Sequence, residues 1–140
     1  MDQIELMGQH LPDPGDITGV LSAGWEVFEL VKAVAAAHAD LSTDMYPAFT
    51  FARGAAVSGR NAIAFAPSLP TVYEAAQSGS PPPVAGDVYE VADSVAVLAS
   101  ALSARLAESA RLAIDADDRT ACANAARDAK QISRLLAKGK

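Results

Sequence analysis

The chain is poor in the residues on which cross-linked folds, metal centres and most catalytic sites depend. Its one cysteine, Cys122, excludes an intrachain disulfide and gives no sign of an oxidising compartment. Its two histidines are His10, in a segment without periodicity, and His38, which has no histidine or acid one helical turn further on. Cys122 therefore lacks an evident base, and we predict a buried thiol, no catalytic residues, no metal site and no cofactor.

Long hydrophobic runs are also missing. A membrane-spanning helix needs about 20 consecutive apolar residues, whereas the most apolar stretch, VFELVKAVAAAHA, contains Glu29 and Lys32. The first residues, MDQIEL, are acidic and lack the basic and then apolar order of a signal peptide. We therefore expect a cytoplasmic protein with no membrane partner.

Alanine takes the place of larger apolar residues. The 140 residues include 31 alanines, against 32 leucines, isoleucines, valines and phenylalanines together. The share of these four larger residue types in the chain is just above ~20%, the level below which chains tend to be disordered. Alanine is the strongest helix former and lets helices approach closely, so we expect a folded helical domain with a thin core. Seven arginines against four lysines, with this much alanine, suggest a bacterial genome rich in G and C.

Apolar residues recur every three or four positions along four long stretches, which is the spacing of amphipathic helices. Asp13 and Pro14 mark the start of the first stretch, with Asp13 as its N-cap. Asp87 and Glu90 have the spacing of a capping box at the start of the third. No stretch shows the alternation of a strand. The main helices are expected over about 13–40, 42–66, 87–114 and 117–138, with a two-turn helix over 71–78.

The fold that these stretches predict is all-α: an antiparallel four-helix bundle with one short extra helix and a Pro-rich connection in the middle. Residues 1–140 are expected to form a single helical domain, because a chain of this length fits one domain. Residues 1–12 are expected to be an N-terminal arm. Residues 78–86, SGSPPPVAG, are expected to be a linker inside the domain, since three consecutive prolines fit neither helix nor sheet.

The stretch GAAVSGRN has its glycines at the spacing of the phosphate-binding loop G-x-x-x-x-G-K-[ST]. That loop follows a strand, but here two apolar faces with helical spacing continue through both Gly54 and Gly59. Asn61 also stands where the loop has a metal-binding hydroxyl. We therefore predict a helix at the centre of the bundle, apolar on two faces, in which the glycines permit close contact with a neighbouring helix.

Arg53 and Arg60 lie two turns apart on the polar strip of this helix. They are expected either to be solvated or to form ion pairs with a neighbour such as Glu26 or Asp93. The alternative is an apolar pocket between helices, in which an arginine holds an anionic group of a small molecule. The residues predicted to line that pocket are Trp25, Phe28, Phe49, Phe51 and Phe65, with Arg53 or Arg60 binding the ligand's charge.

Charge is distributed unevenly along the chain. Residues 1–50 hold eight acids and one base, a net charge of −7, whereas residues 119–140 hold six bases and one acid, a net charge of +5. One face of the last helix carries Arg127, Arg134 and Lys138, and we expect it to be solvated or paired with the acidic half, within or between chains. Nucleic acid is not an expected partner, because the whole chain has a net charge of −6 and this face lacks aromatics.

Tyr89 and Asp93 match the pattern Y-x-x-x-[DE], which resembles the signal of small helical type VII secretion substrates. In that family the signal follows a helical hairpin with a W-x-G turn. Here Tyr89 is expected to open a helix, and Trp25 lies within a helix with Val27, not glycine, two residues on. The resemblance covers five residues, and it does not assign the chain to the family.

Together these patterns favour a protein without enzymatic activity that acts through protein contacts, as a homo-oligomer, for which we expect a homodimer, or as an adaptor to another protein. An alanine-rich core buries little apolar area per residue, and association is a common way to bury more. A domain that binds a small molecule in the pocket described above is the alternative.

Overall fold

The computed structural model describes residues 3–38, 44–70 and 87–137, and helix accounts for 83% of them. Within these ranges there are five helices and no strands, which confirms the predicted all-α bundle. None of the helices described is both long enough and apolar enough to cross a membrane. The helices are α1 (Gln3–Gln9), α2 (Ile17–His38), α3 (Tyr46–Ala64), α4 (Val88–Leu112) and α5 (Ala116–Ala137).

Helices α2, α3, α5 and α4 surround one core in that order, and each is antiparallel to its neighbours. Between α3 and α5, the direction follows from two side-chain hydrogen bonds. Ser58 donates to Asp128 at 2.9 Å, and Ser68, just beyond α3, donates to Asp118 at 2.6 Å, so residue numbers rise along one helix as they fall along the other. Helices α3 and α4 consequently lie on a diagonal and run in the same direction.

The ends of the connection between α3 and α4 lie at opposite ends of the bundle. Ser68 lies beside the start of α5, whereas the Tyr89 hydroxyl donates to Asp44 at 3.3 Å, where α3 begins. A bundle with this order of helices needs one long crossover connection. The two-turn helix predicted over 71–78 and the linker predicted over 78–86 fall on this connection, and residues 71–86 lie outside those described.

Aspartates begin three of the main helices. The backbone N–H groups of Tyr89 and Glu90 donate to the carboxylate of Asp87, which confirms the cap predicted for α4. Asp115 caps α5 in the same way. The cap predicted for α2 was wrong, because the Asp16 carboxylate, not that of Asp13, accepts from Gly19 at 3.0 Å. Asp13 instead belongs to the turn before the helix.

The segment expected to be an N-terminal arm contains α1, which lies along α4. Ile4 is buried there, and the following turn is held to α4 by two side chains. Arg105 donates to the Pro12 carbonyl at 2.9 Å, and Ser109 donates to the Pro14 carbonyl at 2.7 Å. These contacts place the start of α2 against the end of α4.

Two glycines allow α2 and α3 to approach closely. A Cβ atom on Gly59 would lie less than 3.0 Å from three atoms of the Phe28 ring, and one on Gly24 would lie 2.7 Å from Cδ1 of Ile63. Gly54, by contrast, has nothing within 4 Å of its Cβ position. The close contact predicted for the glycine pair is therefore confirmed for Gly59 and wrong for Gly54.

Only one of the two apolar faces of α3 is buried. Phe49, Ala52, Ala56 and Ile63 lie in the core, but Phe51 is 66% exposed and Phe65, just after the helix, is 82% exposed. The prediction that α3 is a central helix was wrong, because α3 has one neighbour on each side, α2 and α5. Its second apolar face is directed outward.

Candidate functional site

The arginine predicted to bind an anion, Arg60, is engaged by its own chain. Its guanidinium lies 2.7 Å from the Glu29 carboxylate, which also accepts from Lys32 at 3.3 Å. The guanidinium carbon lies 5.4 Å from the centre of the Trp25 ring, a cation–π distance. The ion pair expected for Arg60 thus forms, and the acid beside its guanidinium is Glu29 of α2, one turn from Glu26.

This cluster is only partly exposed, with 23–30% of each charged side chain accessible. Ion pairs at this depth are screened less than fully exposed pairs, whose contribution is about 0–1 kcal/mol. An anionic ligand would have to compete with Glu29 for the guanidinium. The geometry is therefore that of a link between α2 and α3, and Arg60 is not an open anion-binding group.

The other predicted pocket residues are distributed over different environments. Phe28 and Phe49 are buried in the core, and Phe49 stacks on His38 with 6.2 Å between ring centres. Arg53 is exposed. Of the predicted site residues, the structure brings Arg60 and Trp25 together, places the two phenylalanines in the core and leaves Arg53 at the surface.

A different candidate site lies where α3 and α5 meet at the outside of the bundle. Phe51 and Phe65 mark its two ends on α3, and small side chains lie between them. Near Phe65 this site includes a cleft of about 360 Å³, and Asp117 and Asn124 are among the residues that line the cleft. We call it the α3–α5 surface and define it by Phe51, Ala55, Ser58, Ala62 and Phe65 on α3 and by Asp117, Asn124, Asp128 and Leu135 on α5.

Charge changes sign along the exposed side of α5, at the edge of this surface. Asp115 and Asp117 are exposed at the start of the helix, and Arg127 and Arg134 are exposed in its second half. Asp128 lies between these ends, where burial raises the pKa of its carboxyl, opposed by the hydrogen bond from Ser58 and by the charge of Arg127. The surface therefore has an acidic end near Phe65 and a basic end near Phe51.

The sequence contains a signal for this surface, but that signal predicts burial. The helical spacing of Phe51, Ala55, Ser58, Ala62 and Phe65 predicts a stripe that faces the core, as apolar stripes usually do, but both phenylalanines are exposed. Ser58 was the only polar side chain within it. The spacing of a stripe does not show whether a neighbouring helix covers it.

Asp118 and Cys122 lie close together on the buried side of α5, one helical turn apart. The buried Asp118 carboxylate accepts from the backbone N–H of Ser68 at 3.0 Å and from its hydroxyl at 2.6 Å. Burial raises the pKa of the Cys122 thiol to about 11, and the charge of Asp118 adds to this effect. A thiol with this pKa stays protonated at neutral pH and is a poor nucleophile. Within the ranges described, no group of three His, Cys, Asp or Glu side chains could hold a metal ion.

The Asp118–Ser68 contact is expected to support the fold. Replacing Asp118 by alanine removes both acceptors, and hydrogen bonds to a charged group contribute about 1.5–3 kcal/mol. We expect Asp118→Ala to lower the free energy of unfolding by about 2 kcal/mol. The measurement is urea unfolding, with Glu90→Ala as the control, because Glu90 is an exposed acid in the first turn of α4 and lies outside the α3–α5 surface. Equal losses in the two variants would contradict the assignment.

Comparison with known proteins adds no relative from which a function could be transferred. No protein-family model matches the chain, and neither the curated proteins nor the solved structures yield a match.

Proposed function

We propose that this protein acts through protein contacts, without an enzymatic activity of its own, and that the α3–α5 surface mediates self-association into a homodimer. The observation that supports this most directly is the exposure of two phenylalanines at the ends of one stripe, 66% for Phe51 and 82% for Phe65. Large exposed apolar patches on soluble domains commonly mark interaction sites.

The composition of the core supports association as well. Eleven of the residues that form the buried core are alanines, and an alanine methyl contributes far less than a leucine side chain at ~25 cal/mol per Å². Covering Phe51 and Phe65 would add apolar burial that the monomer lacks. A stable dimer usually buries more than ~1,000 Å² in total.

Two other uses of the molecule compete with this proposal. An adaptor would use the same surface to bind a different protein and would itself be a monomer. A small-molecule-binding domain would need an anion-binding arginine, and the Arg60–Glu29 pair at 2.7 Å weighs against this alternative.

Light scattering tests the proposal directly. We expect a dimer at ~100 μM and partial dissociation near ~1 μM, as for a micromolar dissociation constant. The double variant Phe51→Ser/Phe65→Ser should be a folded monomer at the higher concentration, because it removes both exposed aromatic rings. The control is Val97→Ser on α4, where an equally exposed apolar residue, 67% accessible, lies outside the proposed interface. A wild-type protein that stays monomeric at ~100 μM would contradict self-association.

A further inference from the structure

The α3–α5 surface has a midpoint about which its features are arranged symmetrically. Ser58 lies seven residues from Phe51 and seven residues from Phe65. At ~1.5 Å per residue, each ring lies about 10 Å along α3 from Ser58, on opposite sides of it. The Ser58–Asp128 hydrogen bond fixes the corresponding midpoint on α5.

Two identical surfaces can face each other with a two-fold axis lying in the plane of contact. Suppose that this axis is perpendicular to the helices and passes at the height of Ser58. Helix α3 of one copy then lies on α3 of the other, α5 lies on α5 in the same way, and both pairs are antiparallel. Phe51 of each copy then lies opposite Phe65 of the other. Both exposed rings on each copy are covered, and the same aromatic contact forms twice.

The charges on α5 distinguish this arrangement from the other symmetric one. With the axis perpendicular to the helices and at the height of Asp128, Arg134 lies about 9 Å from the axis and Asp117 of the second copy about 16 Å from it on the same side, so the basic half of one α5 faces the acidic half of the other. Arg127, near the axis, faces Asp128 of the second copy. With the axis parallel to the helices, ends of like charge would lie at the same level, which is unfavourable.

Small residues allow the backbones to approach at this contact. Gly54 has open space at its Cβ position, and Ala55 and Ala62 are only partly buried. Helices that meet through glycine and alanine can pack near the lower limit of the usual range of ~8–10 Å between axes. The phenylalanines at the two ends would then fill the space beyond the small residues of the second copy.

Resting on the proposed self-association, we infer that a second copy of this chain docks antiparallel on the α3–α5 surface, about a two-fold axis at the height of Ser58 and Asp128. The contacts that define the interface are Phe51 on Phe65 and Arg127 on Asp128, each formed twice. Charge orients the two copies, while the apolar stripe supplies most of the affinity.

Cysteine cross-linking tests the position of the axis. In a Cys122→Ala background, Ser58→Cys places one thiol on each copy next to the axis, and oxidation or a short bis-maleimide is expected to convert most of the protein to a covalent dimer. Disulfides require Cβ atoms ~3.5–4.5 Å apart, so the yield reports proximity. Ser100→Cys, an exposed position on α4, is the matched control and should remain monomeric on denaturing gels.

Charge reversal tests the direction of the two copies. Arg134→Glu should weaken dimerisation about threefold at ~0.01 M salt, where the Debye length of ~30 Å exceeds the distance between the two charges, and Arg134→Glu/Asp117→Lys should restore it, because opposite charges again lie on the same side of the axis. A dimer in which Ser58→Cys fails to cross-link, or in which the second reversal fails to restore affinity, overturns the antiparallel geometry and leaves the proposed self-association standing. A wild-type monomer in light scattering overturns both.

Discussion

Gly59→Leu is expected to lower the free energy of unfolding by about 3 kcal/mol, at the upper end of the range for overpacked cores. The cause is the ring of Phe28, which lies less than 3.0 Å from the position that a Cβ atom would take. Phe28 is fully buried, so its ring has no solvent-filled space into which it can move. Helices α2 and α3 must separate, or the ring must leave its rotamer, to admit the leucine.

Gly54→Leu is the matched control for this prediction. It makes the same chemical change on the same helix, but its Cβ position has nothing within 4 Å. Removing a glycine from an exposed helix position should stabilise by up to ~1 kcal/mol through helix propensity. Both changes are best compared by urea unfolding in the Phe51→Ser/Phe65→Ser background, where we expect no association to obscure the result. A Gly59→Leu protein as stable as its parent would contradict the close packing.

The two glycines also show what the sequence can and cannot predict. Their helical surroundings followed from periodicity, which depends on residues nearby in the chain, and the structure confirms the helix. Their opposite environments did not follow, because they depend on which residue of α2 lies beside each one. Phe28 is 31 positions away from Gly59, and the register of α2 against α3 is set by packing along the whole contact.

Helix ends were predictable to the extent that their signals were unambiguous. Asp87 is the only capping side chain near the start of α4, and that cap is confirmed. Two aspartates, Asp13 and Asp16, precede α2, and proline after the first favoured the wrong one. Either aspartate satisfies the residue preference at an N-cap. Which of them caps α2 depends on the position of the preceding turn, and Arg105 and Ser109 of α4 hold that turn through its carbonyls.

The α3–α5 surface was missed for a related reason. An apolar stripe predicts burial only when a neighbouring element is available to cover it, and α3 has such neighbours on the α2 and α5 sides. The stripe through Phe51 and Phe65 lies outside the part of α3 that these two helices cover. Likewise, the sequence offers Glu26 and Asp93 as neighbours of Arg60, whereas the ion pair forms with Glu29, because the relative height of two helices is not encoded locally.

Phe28→Ala is expected to lower the free energy of unfolding by about 3–5 kcal/mol, the largest loss of any change considered. Phe28 is among the largest fully buried side chains and fills the space that Gly59 leaves open on α3. Alanine would leave a cavity at the α2–α3 contact, beside Gly59, which has no side chain to fill it. Urea unfolding of the single variant gives the value, and a loss below ~1 kcal/mol would show that the ring contributes little to the core.

The combination Phe28→Ala/Gly59→Leu distinguishes a specific contact from two independent sites. If leucine at 59 is costly because it meets the Phe28 ring, removing the ring should make the leucine nearly neutral or even stabilising, since its side chain enters the cavity. The two losses would then fall short of additivity by about 2–3 kcal/mol, within the range seen for residues in direct contact. Gly54→Leu should show no such coupling with Phe28→Ala, because nothing lies near its Cβ position. Additive losses for Phe28 and Gly59 would mean that some other neighbour, and not this ring, requires glycine at position 59.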